Sequence, residues 1–373
     1  MDTAWLERTD LDERIWREEL DEFVPRQVFD AHTHIWRWDF YLAADKETGS
    51  YRNFVRPEFE HSDYALLDAV DAALMPGREV RRLAFPFPFQ PPCDFESSNR
   101  FIVQQTRSNP GSAALMLVQP SMTADELNAW FEAGCVGLKP YRFYSSTGDA
   151  VTCRITDFLP EFQLEVASQR GAIVMLHLSM PNGIADERNL ADLERLGRSY
   201  PGIQWILAHC ARSYSHWPIE EAGARLAALP NTWFDTSSVC ESEAIAALIR
   251  SVGIGRVMYG SDDIPVGVLR GKYVSFGRAW AYLSEANQSL NLSHCDPRMT
   301  FTRYEQLRAM RRAAISVGLT GQEIADLFHD NARRLLSLVA TNTDQRAVSS
   351  SDRDQIRVID GATAPGPNAG DAR

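Results

Sequence analysis

Two histidines one residue apart, His32 and His34, lie within the apolar run VFDAHTHIW at residues 28–36. In a β-strand, side chains at positions i and i+2 point to the same face. Two imidazoles on one face can bind a single metal ion. The spacing alone is weak evidence, because so short a motif often arises by chance.

Further polar side chains interrupt other apolar runs near their carboxyl ends. They are Lys139, His177, His209 and Asp262. Burying such groups without partners is costly, and one bound cation would offset that cost for all of them together. Imidazole and carboxylate ligands suit zinc, iron, cobalt or manganese, and three or four protein ligands with an open position are typical of a catalytic site.

The elements that must position these residues alternate between short apolar runs and helical patterns, as in a parallel sheet with crossover helices. Near-continuous hydrophobicity is typical of strands that are buried on both faces. The pattern predicts an α/β protein, a single (β/α)₈ TIM barrel with its active site at the carboxyl ends of the strands. The eight predicted strands are 28–36, 80–88, 113–121, 135–143, 172–179, 203–211, 232–239 and 257–265.

Several segments depart from this repeat. Residues 1–25 form an N-terminal extension with a predicted helix over 10–23, and the barrel is expected over 26–340. Two long excursions, 37–79 and 266–300, are predicted to be insertions at the barrel mouth. Residues 341–373 are rich in small and polar residues, so we expect a disordered tail.

Composition narrows the class of partner. The chain has 373 residues and a formal net charge of −12, which argues against nucleic acid or an anionic membrane as a partner. No apolar run is long enough to span a membrane, and the N-terminus does not resemble a secretion signal. The six cysteines are scattered, which favours reduced thiols in a cytoplasmic protein.

Six motifs, in this order, resemble the amidohydrolase superfamily and, within it, the amidohydrolase-related (amidohydrolase 2) branch, from about residue 26 to 337. They are VFDAHTHIW, GLKPYRF, MLHLS, ILAHCAR, YGSDDIP and FHDNARRLL. YGSDDIP has one extra residue before the proline of the family's G-S-D-x-P pattern.

The resemblance implies that His32, His34, His177 and Asp262 bind one divalent metal ion. Zinc is the first choice, with Mn²⁺, Fe²⁺ and Co²⁺ as alternatives. His209 would lie beside this ion, or would bind a second ion if a carboxylated Lys139 bridged the pair. One ion is favoured, because one-metal relatives often keep this lysine without using it as a ligand.

Such an ion supplies hydroxide near neutral pH, because it lowers the pKa of bound water toward ~7. Asp262 would act as general base, and His209 would donate a hydrogen bond to the developing oxyanion. This predicts hydrolysis of an amide, a lactone or another ester. The alternatives are a metal-dependent, non-oxidative decarboxylase on the same barrel and a non-catalytic binding protein.

Residues just beyond the strands are candidates for binding a small-molecule substrate. An arginine at the mouth can bind a carboxylate bidentately, which points to an anionic substrate, although a solvated or structural role is the better prediction for each arginine. Aromatic rings there can form apolar walls. These candidates are Arg37, Arg142, Arg212, Trp36 and Tyr141. Asp30 is expected to orient backbone or a histidine.

For the oligomeric state, a homodimer is possible.

Overall fold

Nine strands form the main sheet, and eight of them run parallel to their neighbours. The computed structural model describes residues 4–49, 55, 59–284 and 293–340, so the predicted tail at 341–373 lies outside the described residues. The strands are β1 Gln27–Arg37, β2 His61–Ser62, β3 Glu79–Pro86, β4 Ala113–Val118, β5 Gly137–Pro140, β6 Ile173–Leu176, β7 Gln204–Leu207, β8 Thr232–Asp235, β9 Val257–Met258, β10 Gly271–Phe276 and β11 Ala279–Ser284.

The parallel strands follow one another in chain order from β1 through β3 to β9. Backbone hydrogen bonds join β1 to the segment that follows β9: the amide of Ala31 donates to Tyr259 at 2.9 Å, and the amide of Asp262 donates to His32 at 2.9 Å. A parallel bridge between Thr33 and Asp263 continues this pairing. The sheet therefore closes on itself, which confirms the predicted barrel.

Side chains of each barrel strand alternate between two apolar clusters. In β6, Ile173 and Met175 belong to the inner cluster, whereas Val174 and Leu176 pack in the larger cluster beneath the helices. Because both faces of the strands are covered, they read as unbroken apolar runs in the sequence. Leu335, in the helix formed by residues 331–340, packs on the inner cluster.

Helices cover the outside of the barrel. They are α1 Asp10–Ile15, α2 Tyr64–Leu74, α3 Phe95–Arg107, α4 Ala124–Ala133, α5 Ile155–Phe158, α6 Glu161–Arg170, α7 Glu187–Ser199, α8 Ala208–Arg212, α9 Trp217–Ala227, α10 Ser242–Val252, α11 Thr302–Val317 and α12 Gly321–Ala325. α8 is a single turn with left-handed backbone in its interior. None of the helices in the described ranges is long and apolar enough to cross a membrane.

The N-terminal helix is shorter than the predicted span of 10–23. α1 ends at Ile15, and a π-helical turn follows it from Trp16 to Leu20. Thr9 caps α1: the Thr9 side chain accepts a hydrogen bond from the amide of Asp12, and the Asp12 side chain accepts one from the amide of Thr9. This reciprocal capping box satisfies two amides at the start of the helix.

The two long excursions contain elements that sequence analysis did not predict. The first holds β2, which pairs antiparallel with the end of β1, and α2. The second holds the antiparallel hairpin β10–β11. Both follow barrel strands at their carboxyl ends, so they lie on the mouth side, as expected.

Candidate active site

The histidines of the HTH motif share one face of β1, as their spacing predicts. The ring centroids of His32 and His34 are 5.4 Å apart, and both side chains are buried. The ring of Phe85, on β3, packs edge-on against them at 4.9 and 5.0 Å. Both imidazoles are therefore held in place within the barrel, where water competes little for them.

Asp262 lies after β9 and faces both imidazoles. Its Oδ1 lies 3.0 Å from Nε2 of His34 and 3.3 Å from Nε2 of His32. Its Oδ2 accepts a hydrogen bond of 2.5 Å from Ser238 Oγ. The structure thus brings these three side chains together.

Asp235, the last residue of β8, is a site residue that sequence analysis missed. Its Oδ2 lies 3.0 Å from Nδ1 of His32, and its Oδ1 accepts hydrogen bonds of 3.0 Å from the backbone amides of His209 and Ser237. Asp235 follows the buried run TWF at residues 232–234, just as His177 and His209 follow the apolar runs before them. The rule that selected those histidines would have selected it too.

Hydrogen bonds at Nδ1 fix the tautomers of three histidines. Nδ1 of His209 lies 3.0 Å from the carbonyl oxygen of Ser237, and Nδ1 of His177 lies 3.1 Å from a backbone carbonyl. A carbonyl only accepts, so each of these nitrogens must carry a hydrogen. The carboxylate of Asp235 has the same effect on His32. Each neutral ring keeps its lone pair on Nε2, which is the arrangement found in metal-binding histidines.

Potential ligand atoms converge in two overlapping groups within the described ranges, and the atoms of each group lie within 4.8 Å of one another. The groups are His32, His34 and Asp262, and His32, His209 and Asp235. His177 is in neither group, although its ring centroid lies 5.1 Å from that of His209. The structure thus brings together three of the four predicted ligands, and ligation by His177 stays a prediction.

Burial sets the protonation of the imidazoles. It lowers the pKa of His34 to about 4 and also lowers that of His209. The pKa of His177 is well below its ordinary value because of burial and nearby positive groups. Burial alone would lower the pKa of His32, but the charge of Asp235 raises it above the ordinary value. A metal ion at Nε2 of His32 would therefore compete with a proton for the same lone pair.

Lys139, on β5, is buried inside the barrel. Its Nζ has no hydrogen-bond partner among the described residues and lies 4.5 Å from the ring centroid of Phe85 and 5.0 Å from that of Tyr141. Burial lowers the pKa of this amine to about 7, although Asp235 and Asp262 act to raise it. An amine that is partly neutral at pH 7 can react with CO₂, so the hypothesis of a carboxylated lysine stays open.

Arg142 and Arg212 lie beyond β5 and β7, and both are largely buried. Arg142 Nη1 donates 2.5 Å to the carbonyl of Ala150, and Arg212 Nη1 donates 3.1 Å to that of Ser179. The Nε atoms of both have no hydrogen-bond partner in the part of the chain that the structure describes. Burial and the charge of Arg142 lower the pKa of Arg212 to about 10. The two guanidinium groups repel each other, and neither pairs with a carboxylate of the described residues, which favours an anionic ligand.

Three other predicted substrate contacts lie in different settings. Trp36 is 1% exposed, and its Nε1 donates 3.1 Å to the carbonyl of Ile264, so it supports the loop after β9 instead of forming a wall of the pocket. Arg37 has a side chain that is 53% exposed and pairs with Asp39 at 3.5 Å. Tyr141 is buried beneath the Lys139 amine. Of these three side chains, only that of Tyr141 reaches the buried site.

Left-handed backbone marks the loops at the barrel mouth. Non-glycine residues with positive φ are Met180, His209, Cys210, Ala211, Arg212, Ser238 and Asp262, and elsewhere in the described ranges only Asn231. This conformation costs roughly 1–2 kcal/mol for each such residue and persists only where surrounding contacts hold it. Strain therefore accumulates at the end of the barrel that carries the polar cluster.

Asp30 and Asp263 support the site without facing the imidazoles. Asp30 accepts hydrogen bonds from the backbone amides of His32 at 3.0 Å and Ser261 at 2.8 Å, as expected of a residue that orients backbone. Asp263 forms an ion pair with Arg303, a residue of α11. Of the two adjacent aspartates, Asp262 is the one that faces the histidines, in agreement with the sequence prediction.

The family model described as Amidohydrolase (Amidohydro_2) matches residues 29–338. The chain belongs to the amidohydrolase family. The match includes the HTH motif and every strand that carries a site residue. It confirms the predicted resemblance and the prediction of an enzyme of the amidohydrolase type, and it disfavours a non-catalytic binding protein. No curated protein sequence matches the chain significantly.

Solved structures share the barrel at low sequence identity. An amidohydrolase from Burkholderia multivorans with bound zinc is 15% identical, with 83% of this chain and 99% of that chain covered and a TM-score of 0.56. A putative 2-pyrone-4,6-dicarboxylic acid hydrolase from Pseudomonas putida is 16% identical, with 84% and 99% covered and a TM-score of 0.53. The 5-carboxyvanillate decarboxylase from Sphingomonas paucimobilis is 15% identical, with 83% of this chain and 99% of that chain covered and a TM-score of 0.52. These likenesses establish the fold.

Proposed function

We propose that the protein is a metal-dependent hydrolase that cleaves an amide, lactone or other ester bond in a small anionic molecule. The observation that carries the proposal is the convergence of His32, His34 and Asp262 within 4.8 Å. These residues lie at the carboxyl ends of barrel strands, where TIM-barrel enzymes have their active sites. Zinc is the first candidate, and Mn²⁺, Fe²⁺ and Co²⁺ suit the same ligands.

The donor set fits a divalent cation. Asp235 accepts a hydrogen bond from Nδ1 of His32. A neutral His32 therefore directs the lone pair of its Nε2 toward Oδ1 of Asp262, 3.3 Å away. Two lone pairs that face each other repel unless a proton or a metal ion lies between them. The bound zinc of the Burkholderia multivorans amidohydrolase supports a metal ion in a barrel of this kind.

When bound, a divalent ion acidifies water and polarises a carbonyl group. We propose that Asp262 accepts the proton of the attacking water. Burial alone would raise the pKa of Asp262, but hydrogen bonds with His32 and His34 keep it well below its ordinary value. The carboxylate is therefore ionised at neutral pH, as a base must be.

The structure changes the role that we assign to His209. Sequence analysis predicted a hydrogen-bond donor to the oxyanion. Nδ1 of His209 already donates its hydrogen bond to the carbonyl of Ser237, and burial lowers the pKa of the ring. A neutral His209 thus offers only a lone pair at Nε2. We propose that it accepts a proton or binds a second ion, in which case Lys139 would be carboxylated.

The proposal of an anionic substrate rests on Arg142 and Arg212. The positive charges of both guanidinium groups help to lower the pKa of His177. Each has an Nε without a partner among the described residues. A substrate carboxylate would supply the missing acceptors and offset the repulsion between the two cations.

A decarboxylase is the second candidate, and one observation favours it. The 5-carboxyvanillate decarboxylase of Sphingomonas paucimobilis has nearly the same TM-score to this chain as the putative hydrolase of Pseudomonas putida. A carboxylate held by two arginines would serve either reaction, so the ligand set does not separate them.

Metal content tests the centre. We expect about one zinc ion per chain in the purified protein, measured by plasma mass spectrometry, and a marked loss in Asp262→Ala and His177→Ala. His216→Ala is the control, because this histidine has a side chain that is 51% exposed. Zinc binding to metal-free protein should be tighter at pH 8 than at pH 6, since protons compete with the ion for Nε2 of His32 and are fewer at the higher pH. Full zinc content in Asp262→Ala would contradict the proposed centre.

Isotope labelling tests the reaction. The zinc-loaded enzyme is screened in H₂¹⁸O against lactones, esters, amides and aromatic carboxylates. Hydrolysis places one ¹⁸O atom in the acid product, whereas decarboxylation releases CO₂ without labelling the other product. Release of CO₂ alone would replace the hydrolase proposal with the decarboxylase.

We also propose a cytoplasmic protein that acts on a small molecule, not on nucleic acid or a membrane, and that forms a homodimer. The acidic composition, with a formal net charge of −12, supports the exclusion of nucleic acid and anionic membranes as partners. Light scattering of the purified protein tests the dimer: a mass of one chain at micromolar concentration would contradict it.

A further inference from the structure

The hairpin β10–β11, residues 271–284, lies beside the site and is called the arm here. Side-chain contacts fix it to two elements of the barrel. The hydroxyl of Tyr282 lies 2.7 Å from Thr302 Oγ1 on α11, and Arg278 forms an ion pair with Glu221 on α9. The arm is thus tied to the body of the protein through β11 and through the turn between its two strands.

An aromatic stack runs from the arm to the site. The ring of Trp280, on β11, stacks on Tyr214 at 4.3 Å with an angle of 29° between the planes. Tyr214 in turn lies nearly parallel to His209, at 5.9 Å and 22°. Tyr273, on β10, packs on Tyr214 at 4.7 Å. The three aromatic side chains make one continuous contact from the hairpin to a site imidazole.

The position of His209 depends on contacts from outside its own segment. It begins a turn in which four successive residues, 209–212, have φ between 51° and 59°. L-residues disfavour this conformation by roughly 1–2 kcal/mol each, so the turn does not persist by local preference. Nδ1 of His209 lies 3.0 Å from the carbonyl oxygen and 2.9 Å from the hydroxyl oxygen of Ser237. The ring of Tyr214, two residues after the turn, lies nearly parallel to the imidazole and packs against it.

We infer that the arm is a positioning device: Trp280, acting through Tyr214, holds the left-handed turn and the His209 imidazole in the orientation that the site requires. Trp280 and Tyr214 are positioning residues, since they act through His209. The inference rests on the proposed function only where activity is measured. Its structural content, the orientation of one imidazole, can be tested without a substrate.

The first test is NMR of protein labelled with ¹³C and ¹⁵N in histidine, with the His209 signals assigned from His209→Asn. Trp280→Leu keeps apolar volume but removes the stacked ring. We expect the His209 ring signals to shift or broaden more than those of any other histidine. The matched control is Trp130→Leu, because Trp130 is a partly buried tryptophan that packs on the same core as Trp280 but lies on α4.

The second test is a double-mutant cycle on the zinc-loaded enzyme, with p-nitrophenyl acetate as the probe. We expect Trp280→Leu to lower kcat about tenfold with little change in KM, and Trp280→Phe to restore most of the loss. In the His209→Asn background, Trp280→Leu should change kcat less than about twofold, because the interaction it supports is already absent.

Unchanged His209 signals in Trp280→Leu, or the same loss of kcat in both backgrounds, would overturn the inference. A parent enzyme that binds zinc but hydrolyses neither the probe nor any member of the screen would count against the proposed function instead. The NMR comparison would still decide the role of the arm in that case. If Trp280→Leu unfolds, the same signals in Tyr214→Leu and Trp280→Phe decide it.

Discussion

Two buried polar clusters begin one residue apart. Asp262 belongs to an imidazole cluster with His32 and His34, in which the carboxylate faces rings whose charge depends on protonation. Asp263 belongs to a guanidinium cluster that continues through Arg303 to Asp71, 2.6 Å from Arg303 Nη1. Arg82 contacts the same Asp71 on its other oxygen.

The difference shows how a barrel separates structural charge from functional charge. In the guanidinium cluster, permanent cations neutralise the carboxylates, and the charge of Asp71 raises the pKa of Arg303 against the effect of burial. In the imidazole cluster, burial lowers the pKa of His34 to about 4, so this ring carries no charge at neutral pH. Asp262 therefore has no permanently charged partner in this cluster, and a bound cation can supply the counter-charge.

The largest expected effect comes from breaking the imidazole cluster. Asp262→Asn should lower kcat/KM by about 10²–10⁴-fold, because it removes the proposed general base. The unfolding free energy of the metal-free protein should fall by less than the about 3–5 kcal/mol expected when a buried permanent cation loses its partner, because Asp262 faces imidazoles and not a guanidinium group. Steady-state kinetics and urea unfolding measure the two quantities. A large loss of stability would show that Asp262 has a structural role like that of Asp263.

The opposite outcome is expected in the guanidinium cluster. Arg303→Met should lower the unfolding free energy by about 3–5 kcal/mol, because it leaves Asp71 and Asp263 buried without their shared cation. Arg17→Met is the control, since that arginine has a side chain that is 69% exposed. Urea unfolding of both variants gives the comparison. A loss no larger than that of the control would contradict the proposed structural role.

A smaller, stabilising effect is expected at Lys139. Its pKa in the fold, about 7, is below the ordinary value of 10.5, so between these values the unfolded chain binds more protons than the native state. The penalty is full below pH 7 and fades as the pH rises toward 10.5. Lys139→Met should therefore raise the unfolding free energy of metal-free protein by about 1–2 kcal/mol at pH 6.5.

The same Lys139→Met substitution should raise the unfolding free energy by a smaller amount at pH 9.5 than at pH 6.5. Urea unfolding at both pH values measures the difference. Lys46→Met, a change on the mouth-side excursion, should show no such dependence on pH. A gain that grows with pH would mean that Lys139 has an anionic partner in solution and is not the isolated amine that the structure shows.

The smallest effect is expected at Arg37. Arg37→Ala should change the unfolding free energy by less than about 0.5 kcal/mol, since the side chain is exposed. It should also leave KM for an anionic substrate nearly unchanged, whereas Arg212→Ala should raise it about tenfold or more. Equal effects on KM would place Arg37 in the pocket.

Sequence analysis predicted each barrel strand but placed most of their carboxyl ends too late. The run 257–265 contains a strand of only two residues, Val257–Met258. Beyond them the chain is still buried, yet it bends through the left-handed Asp262. Burial alone produces an apolar run, so composition cannot distinguish a strand from a buried loop at the mouth.

The sequence by itself determined the barrel and most of the polar residues at its mouth, because buried parallel strands need unbroken apolar runs and functional groups interrupt them. Only the tertiary structure decided which neighbour each polar group faces. Asp262 and Asp263 are identical in type and adjacent in sequence, and their roles differ because the backbone directs one toward imidazoles and the other toward Arg303. The stack from Trp280 to His209 likewise joins residues 71 positions apart, a contact that no local pattern contains.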